Sequence, residues 1–381
     1  MRPRMYKMIT RREFLKQGIA FMALAAGSSL AGRLAGQRQA MASTLYSREA
    51  LFYKKIDDNT VACLLCPHGC VLKNGQRGLC KVREPNAGKL YTLVYELPCA
   101  VHLDPIEKKP LYHVLPGSSS LSIATAGCNL RCKFCQNWQI SQEYPENTFN
   151  RHLSCPDTVK LALARRARSI AYTYSEPTVF YEYMIDTAKI ARRQGVKNIC
   201  VTAGYINPEP LEKLCEVTDA ANIDLKAFSD KYLKEVCNER LEPLLRSIKR
   251  YREGGVWVEL TNLVVPTMND DPGMIRRMCA WIRENLGAET PLHFSRFWPT
   301  YKLKNLPPTP LSTLRTARAI ATEEGLHFVY LGNVPEEEGG NTLCPSCKKI
   351  LVKRAGYFVL ANNVINSQCR FCGEKIPGIW D

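Results

Sequence analysis

The run Gly127-Cys128-Asn129-Leu130-Arg131-Cys132-Lys133-Phe134-Cys135-Gln136-Asn137 sets three thiols in a C-x3-C-x2-C spacing. Three thiolates this close can hold three irons of a cubane [4Fe–4S] cluster and leave the fourth without a protein ligand. Electron-transfer clusters are closed by a fourth cysteine. An open iron can bind a substrate or cofactor, so the spacing points to iron–sulfur chemistry at a vacant coordination position. Cys155, 20 residues on, is the only nearby candidate for a closing ligand.

Outward from this run, residues 118–335 alternate short strands with helices. The candidate strands are Leu121–Ala126, Ser169–Tyr174, Lys197–Thr202, Ala221–Leu225, Val256–Val265 and Pro291–Arg296, with Leu326–Leu331 as an extension. Each is short and rich in Ile, Val, Tyr or Leu. Helices are predicted between them, over Asp157–Ala167, Val179–Gln194 and Pro210–Thr218; Pro156 and Pro210 sit near helix starts and Gly195 after a helix end. Six consecutive βα units imply a parallel sheet with right-handed crossovers. The fold class is α/β.

The strand ends gather polar residues. The cysteine loop follows the first strand, Ser175-Glu176-Pro177 the second and Ala203-Gly204-Tyr205 the third. Asp224 and Lys226 close the fourth, Pro266-Thr267-Met268-Asn269 follows the fifth, and Arg296 ends the sixth. In parallel αβ barrels that rim carries the active site. Alone, Glu176 reads as a helix-start carboxylate and Asp224 with Lys226 as a solvated pair; their shared location favours a functional reading.

The chain has 381 residues and a formal charge of +16. Residues 1–42 supply +7 of it, with eight Lys/Arg against one acid, and metal-bound thiolates would lower the remainder. Within that stretch, Thr10-Arg11-Arg12-Glu13-Phe14-Leu15-Lys16, the apolar run Gly18 to Ala26 and Ala40-Met41-Ala42 resemble a twin-arginine signal. The apolar run is too short and Gly-rich for a stable membrane span. Such a leader points to export to the periplasm or cell envelope.

Seventeen cysteines are present, and eleven fall in three clusters. Their gaps suit metal ligation better than a disulfide framework in a chain of this length. Cys344-x2-Cys347 and Cys369-x2-Cys372 are two knuckles that can form a tetrahedral S4 site, with zinc the common occupant; Gly373 permits the tight turn at the second, and Lys348 lacks that freedom. A disulfide pair is the alternative in an exported tail. Cys63-x2-Cys66-x3-Cys70-x9-Cys80, with His68 inside it, suits zinc or a second iron–sulfur cluster, and thiolate softness does not separate them. Cys99, Cys155, Cys200, Cys215, Cys237 and Cys279 read as buried apolar thiols.

Gly127–Asn137 resembles the radical S-adenosylmethionine (radical SAM) signature. The chain after its leader is similar to the pyruvate formate-lyase activating enzyme group, most closely to the radical enzyme family of the AmmeMemoRadiSam system, through Cys63–Arg83, Asp104–Gly117, Cys128–Gln142, Ala171–Pro177, Asp224–Phe228, Leu263–Asn269, His293–Pro299, Tyr330–Asn333 and the tail. The resemblance implies a partial (β/α)6 TIM-like barrel flanked by small Cys-rich N-terminal (43–117) and C-terminal (336–381) segments. It implies that Cys128, Cys132 and Cys135 hold the cubane and that S-adenosylmethionine chelates the open iron. A 5′-deoxyadenosyl radical then takes hydrogen from a protein or small-molecule substrate, a glycyl-radical-activase-like role being one form. By position, Glu176 accepts from the cofactor's amino group, Asp224 and Lys226 lie beside its methionine and ribose, Gly204 lets the backbone approach, Asn137 shapes the loop and Phe134 packs near adenine. The Gly-Gly-Glu usual after the second strand is Tyr174-Ser175-Glu176 here. A low-potential electron donor is a required partner. Donor and cofactor are cytoplasmic supplies, in tension with the leader.

Two other functions fit parts of the chain. A zinc-ribbon nucleic-acid-binding protein would show a basic stripe with interleaved aromatics; only scattered groups such as Arg165-Arg166-Ala167-Arg168 occur, so no nucleic-acid partner is expected. An iron–sulfur electron carrier would need the fourth cysteine.

Overall fold

The computed structural model describes residues 47–335 and 339–381. The twin-arginine-like leader lies outside the described residues. Among them, no helix is long and apolar enough to cross a membrane.

Eight strands form the central sheet: β1 Ala100–Pro105, β2 Ser119–Ala124, β3 Ser169–Tyr172, β4 Lys197–Thr202, β5 Ala220–Asp224, β6 Trp257–Val264, β7 Leu292–Arg296 and β8 Val329–Gly332. Their spatial order is their chain order. β2 to β8 run parallel, while β1 joins β2 as an antiparallel edge from Ala100 opposite Ala124 to Pro105 opposite Ser119. The connections carry α1 Cys155–Ala164, α2 Tyr181–Arg193, α3 Pro208–Cys215, α4 Leu241–Glu253, α5 Pro272–Leu286 and α6 Leu311–Glu323. β1 and β8 are the two ends, so the sheet is open.

Local chemistry fixes these limits. Ser154 Oγ accepts from Asp157 N at 3.2 Å and Pro156 occupies the first turn, so α1 starts two residues before the predicted Asp157. Asp271 caps α5 through Met274 N at 2.7 Å. β3 is buried along its whole length, which is why it reads as an unbroken apolar run. It stops at Tyr172, short of the predicted Tyr174, because Tyr174 takes a left-handed conformation (φ +63°). The antiparallel β1 is absent from the sequence reading: its alternation, Val101-His102-Leu103-Asp104, spans only four residues before Pro105.

The tail is bound to the sheet. The antiparallel strands Ile350–Ala355 and Phe358–Asn362 carry Arg354, whose guanidinium is buried, lies 3.5 Å from Glu107 Oε1 and 4.2 Å over the Tyr112 ring, and donates to Tyr112 O at 2.7 Å. From Arg354 a one-way relay of donors runs through Thr342 Oγ1 (2.9 Å), Tyr330 OH (2.9 Å) and His113 Nε2 (2.8 Å), and His113 Nδ1–H donates to Pro377 O at 2.7 Å. The Pro377 carbonyl can only accept, so Nδ1 carries the proton, and burial, which lowers His113 to about 4, keeps the ring neutral with Nε2 accepting from Tyr330 OH.

Candidate active site

The cysteine loop leaves β2 through Gly127 (φ +89°), whose N–H donates to Ile140 O at 2.9 Å. A π-helical turn, Leu233–Cys237, clamps the loop from the far side. Its carbonyls at Cys237 and Val236 accept from Arg131 N (2.8 Å) and Lys133 N (3.0 Å). Such turns recur at functional sites because they free carbonyls from the helix ladder. Leu130 N donates to Cys128 Sγ at 3.3 Å, and Cys135 Sγ lies 3.1 Å from Ser141 Oγ. Burial pushes the Cys128 thiol well above the ordinary range, so ligation there must displace a proton.

Tyr174 stands where the related motif has glycine, and the structure supplies what holds it. Its hydroxyl donates to Asp104, the Lys109 ammonium lies 4.3 Å over its ring, and Asn137 Nδ2 donates to its carbonyl at 2.9 Å. Asp104 in turn pairs with Lys109 at 2.7 Å and Lys108 at 2.9 Å. Two residues on, the buried Glu176 accepts from Thr178 N (3.1 Å), Thr178 Oγ1 (2.7 Å) and Thr202 Oγ1 (2.6 Å) on Oε1, and from Ala203 N (2.8 Å) on Oε2. Oε2 has one donor and keeps acceptor capacity.

Beyond β5, Lys226 is buried, with Nζ 3.6 Å from Asp224 Oδ2 and 3.8 Å from Glu239 Oε2. Only the Asp224 end of this pair reaches solvent. Burial works against its charge, but Glu239, Asp224 and the thiols of Cys132 and Cys237 hold its pKa well above the usual value. Burial drives Glu239 the other way, up to about 8 in spite of Lys226. Cys237, read from sequence as a buried apolar thiol, is buried in the core beside Cys132: burial first and then Cys132 push its thiol well up, while Cys237 draws the Cys132 thiol down. Of the other five scattered cysteines, four are buried and Cys99 is half-buried.

One cavity of about 630 Å³ brings together Cys128, Cys132, Cys135, Phe134, Asn137, Glu176, Asp224 and Lys226. Gly204 is the correction. It does not line this cavity; a Cβ there would fall 2.9 Å from Ile223 Cγ2 and 3.1 Å from Leu244 Cδ1, so its freedom (φ +70°) serves packing of α4 on β5. Lys108, Tyr112, His293, Ser295, Asn333 and Tyr357 also line the cavity and were given no role in the sequence reading. The Asp104–Gly117 run was the only signal for the first two. His293 Nε2–H donates to the buried Glu259 at 2.7 Å. The volume is in the range of small-molecule sites. Lys226 Nζ and Ser175 Oγ are buried without hydrogen-bond partners, as suits a wall built for a polar cofactor.

The tail holds a second metal site. Sγ of Cys344 lies 3.6 Å from that of Cys372, and Sγ of Cys347 3.8 Å from that of Cys369. Metal–sulfur bonds of about 2.3 Å in a tetrahedron require about 3.8 Å between sulfurs. Both knuckles turn alike: Lys348 (φ +60°) adopts the left-handed conformation as Gly373 (φ +78°) does, correcting the expected asymmetry.

Residues 122–279 match the model of the Radical SAM superfamily. With the open parallel sheet and the three-thiol cavity, this defines a radical SAM oxidoreductase related to pyruvate formate-lyase activating enzymes; the example from Clostridium pasteurianum is 25% identical over 172 residues, 43% of this chain and 69% of that protein. Within that class, the chain belongs to one family with the uncharacterized protein MJ0808 of Methanocaldococcus jannaschii, 48% identical over 334 residues that cover 86% of this chain and 98% of that one. A radical SAM methyltransferase structure from Sphaerobacter thermophilus aligns with 75% of this chain and 76% of its own at a TM-score of 0.47 and 13% identity, a likeness too slight to carry weight.

Proposed function

We propose that Cys128, Cys132 and Cys135 hold a [4Fe–4S] cluster whose fourth iron takes S-adenosylmethionine. Such a cluster, held by these three thiolates, would supply the electron for reductive cleavage of this cofactor and so for hydrogen abstraction from a substrate. In this reading Glu176 Oε2 accepts from the cofactor's amino group, Lys226 and Asp224 set its methionine and ribose ends, Asn137 ties the cluster loop to the end of β3, and Phe134 shields adenine. The supporting observation is the convergence of eight side chains from the ends of β2, β3 and β5 on one cavity. The far wall, with Lys108, Tyr112, His293 and Tyr357, is assigned to the substrate, a protein segment or small molecule. A glycyl-radical loop is one candidate. Residues 1–42 are assigned as a twin-arginine-type leader, 43–117 as a Cys-rich segment, 118–335 as the catalytic partial barrel, and 336–381 as a zinc ribbon. Anaerobic protein reduced with dithionite is expected to release 5′-deoxyadenosine from S-adenosylmethionine; an intact cluster with no such product would refute the reading.

A further inference from the structure

Cys63 ends the strand Thr60–Cys63, Cys66 and Cys70 lie in the turn after it, and Cys80 precedes the strand Arg83–Asn86. All four line one enclosed cavity with Leu65, Leu72 and Arg83. In the tail ribbon the four sulfurs lie within 4.8 Å of one another; among the described residues no other group of three or more ligand atoms is packed that tightly. The four N-terminal thiols are buried or half-buried around their own cavity.

The cavity wall carries its own polar evidence. Arg83 is 1% exposed, with Nη1 3.8 Å from Cys63 Sγ, and its buried Nε–H meets no acceptor. The guanidinium also pairs with the buried Glu182 and donates to Leu51 O at 3.0 Å, which leaves Nε as its one nitrogen free for a group bound in the cavity. His68 is turned away from ligation through Nε2, which donates to Asn129 O at 2.7 Å. Asn129 follows Cys128 and lines the same cavity. On the other side, the Cys80 carbonyl packs so closely on Gly127 that a Cβ there would lie 2.4 Å from it. The Arg131 guanidinium joins Leu79 O to Cys128 O. The two cysteine loops thus touch through His68–Asn129, Cys80–Gly127 and Arg131. Leu64 and Val71, both exposed, flank the N-terminal set at the surface.

We propose that Cys63, Cys66, Cys70 and Cys80 bind a second, fully ligated [4Fe–4S] cluster that is the entry point for electrons; the cluster stands on its own geometry, and the relay rests on the function proposed above. One electron from a low-potential one-electron protein donor takes this cluster from the 2+ to the 1+ level. The same electron leaves toward the Cys128 loop and restores 2+, with no proton or atom transferred.

The test uses full-length protein reconstituted without oxygen. About eight irons and eight sulfides per chain are expected in the wild type, and about four of each in the C128A/C132A/C135A variant. The latter should keep a dithionite-induced electron paramagnetic resonance signal that S-adenosylmethionine does not alter. The C66A/C80A variant should keep about four irons, with a signal that the cofactor does alter. An iron-free triple variant with a second zinc per chain would overturn the site, and that variant decides the matter even if C66A/C80A fails to fold. For the relay, stopped-flow reduction of C66A/C80A by a reduced flavodoxin-type donor should slow more than tenfold relative to reduction by dithionite; an unchanged ratio overturns it. Eight irons in a wild type that yields no 5′-deoxyadenosine would instead sink the function proposed above and leave this site standing.

Discussion

Lys226 Nζ lies 3.8 Å from Glu239 Oε2, and neither atom has a hydrogen-bond partner although both are buried. The two face each other without a hydrogen bond across a space beside the cysteine loop. Burial places Glu239 near 8, far above an ordinary carboxyl. A folded-state value raised in this way contributes stability that is fully present below about pH 4.5 and is lost as pH rises through about 8. Infrared difference spectra of the metal-free protein should show a protonated carboxyl band that disappears near pH 8 and is missing in E239Q. In K226M the midpoint should move up by a unit or more. A band that titrates near 4.5 would contradict this account.

Gly127 and Gly195 both sit at positive φ, yet alanine should cost very different amounts at the two. At Gly127 a Cβ would meet Cys80 O at 2.4 Å and Val82 Cγ1 at 2.6 Å, while Gly195 faces open space. G195A should cost about 1 kcal/mol in urea unfolding, from backbone conformation alone. G127A should cost about 2–4 kcal/mol, because overpacking adds to it. Equal losses would show that the contact between the two cysteine loops is not tight.

Burial lowers His113 to about 4, against charge–charge help from Glu259 and with Arg354 and His293 opposing. A neutral buried histidine must gain a proton on acid unfolding. Its contribution is therefore intact above about pH 6.5 and decays as pH falls toward 4. Unfolding midpoints measured across that window should fall more steeply for wild type than for H113Q. H113Q should itself be less stable at pH 7, since Gln does not reproduce the link from Tyr330 OH to Pro377 O.

The tail site should hold one zinc. Its removal by a strong chelator is expected to lower Tm by about 5 °C or more. Near-ultraviolet dichroism should change with it, because Arg354 stacks on Tyr112 and the His113 ring lies 5.3 Å from that of Trp380. Loss of zinc without either effect would mean that the ribbon is held by the Glu107–Arg354 pair alone.

Much of this was legible in order. The three-cysteine spacing, the six βα units and the two tail knuckles are local patterns, and local backbone and ligand geometry suffices to write them. Eight of the nine cofactor-side residues named from sequence line one cavity because parallel strands deliver their C-terminal ends to one rim. Gly204 misled because a glycine demanded by packing on Ile223 and Leu244 looks, in sequence, like one demanded by a ligand.

The sequence by itself determined which residues can bind metal and which parallel strands form the sheet, since thiol spacing and apolar runs are properties of neighbours along the chain. Only the tertiary structure decided that Glu239 and Cys237 face Lys226 and Cys132, that Asp104 steadies Tyr174, and that the N-terminal thiols abut the Cys128 loop. Those pairings join residues far apart in sequence whose only shared property is burial in the same space, and burial of a charged or thiol group is fixed by packing rather than by its neighbours in the chain.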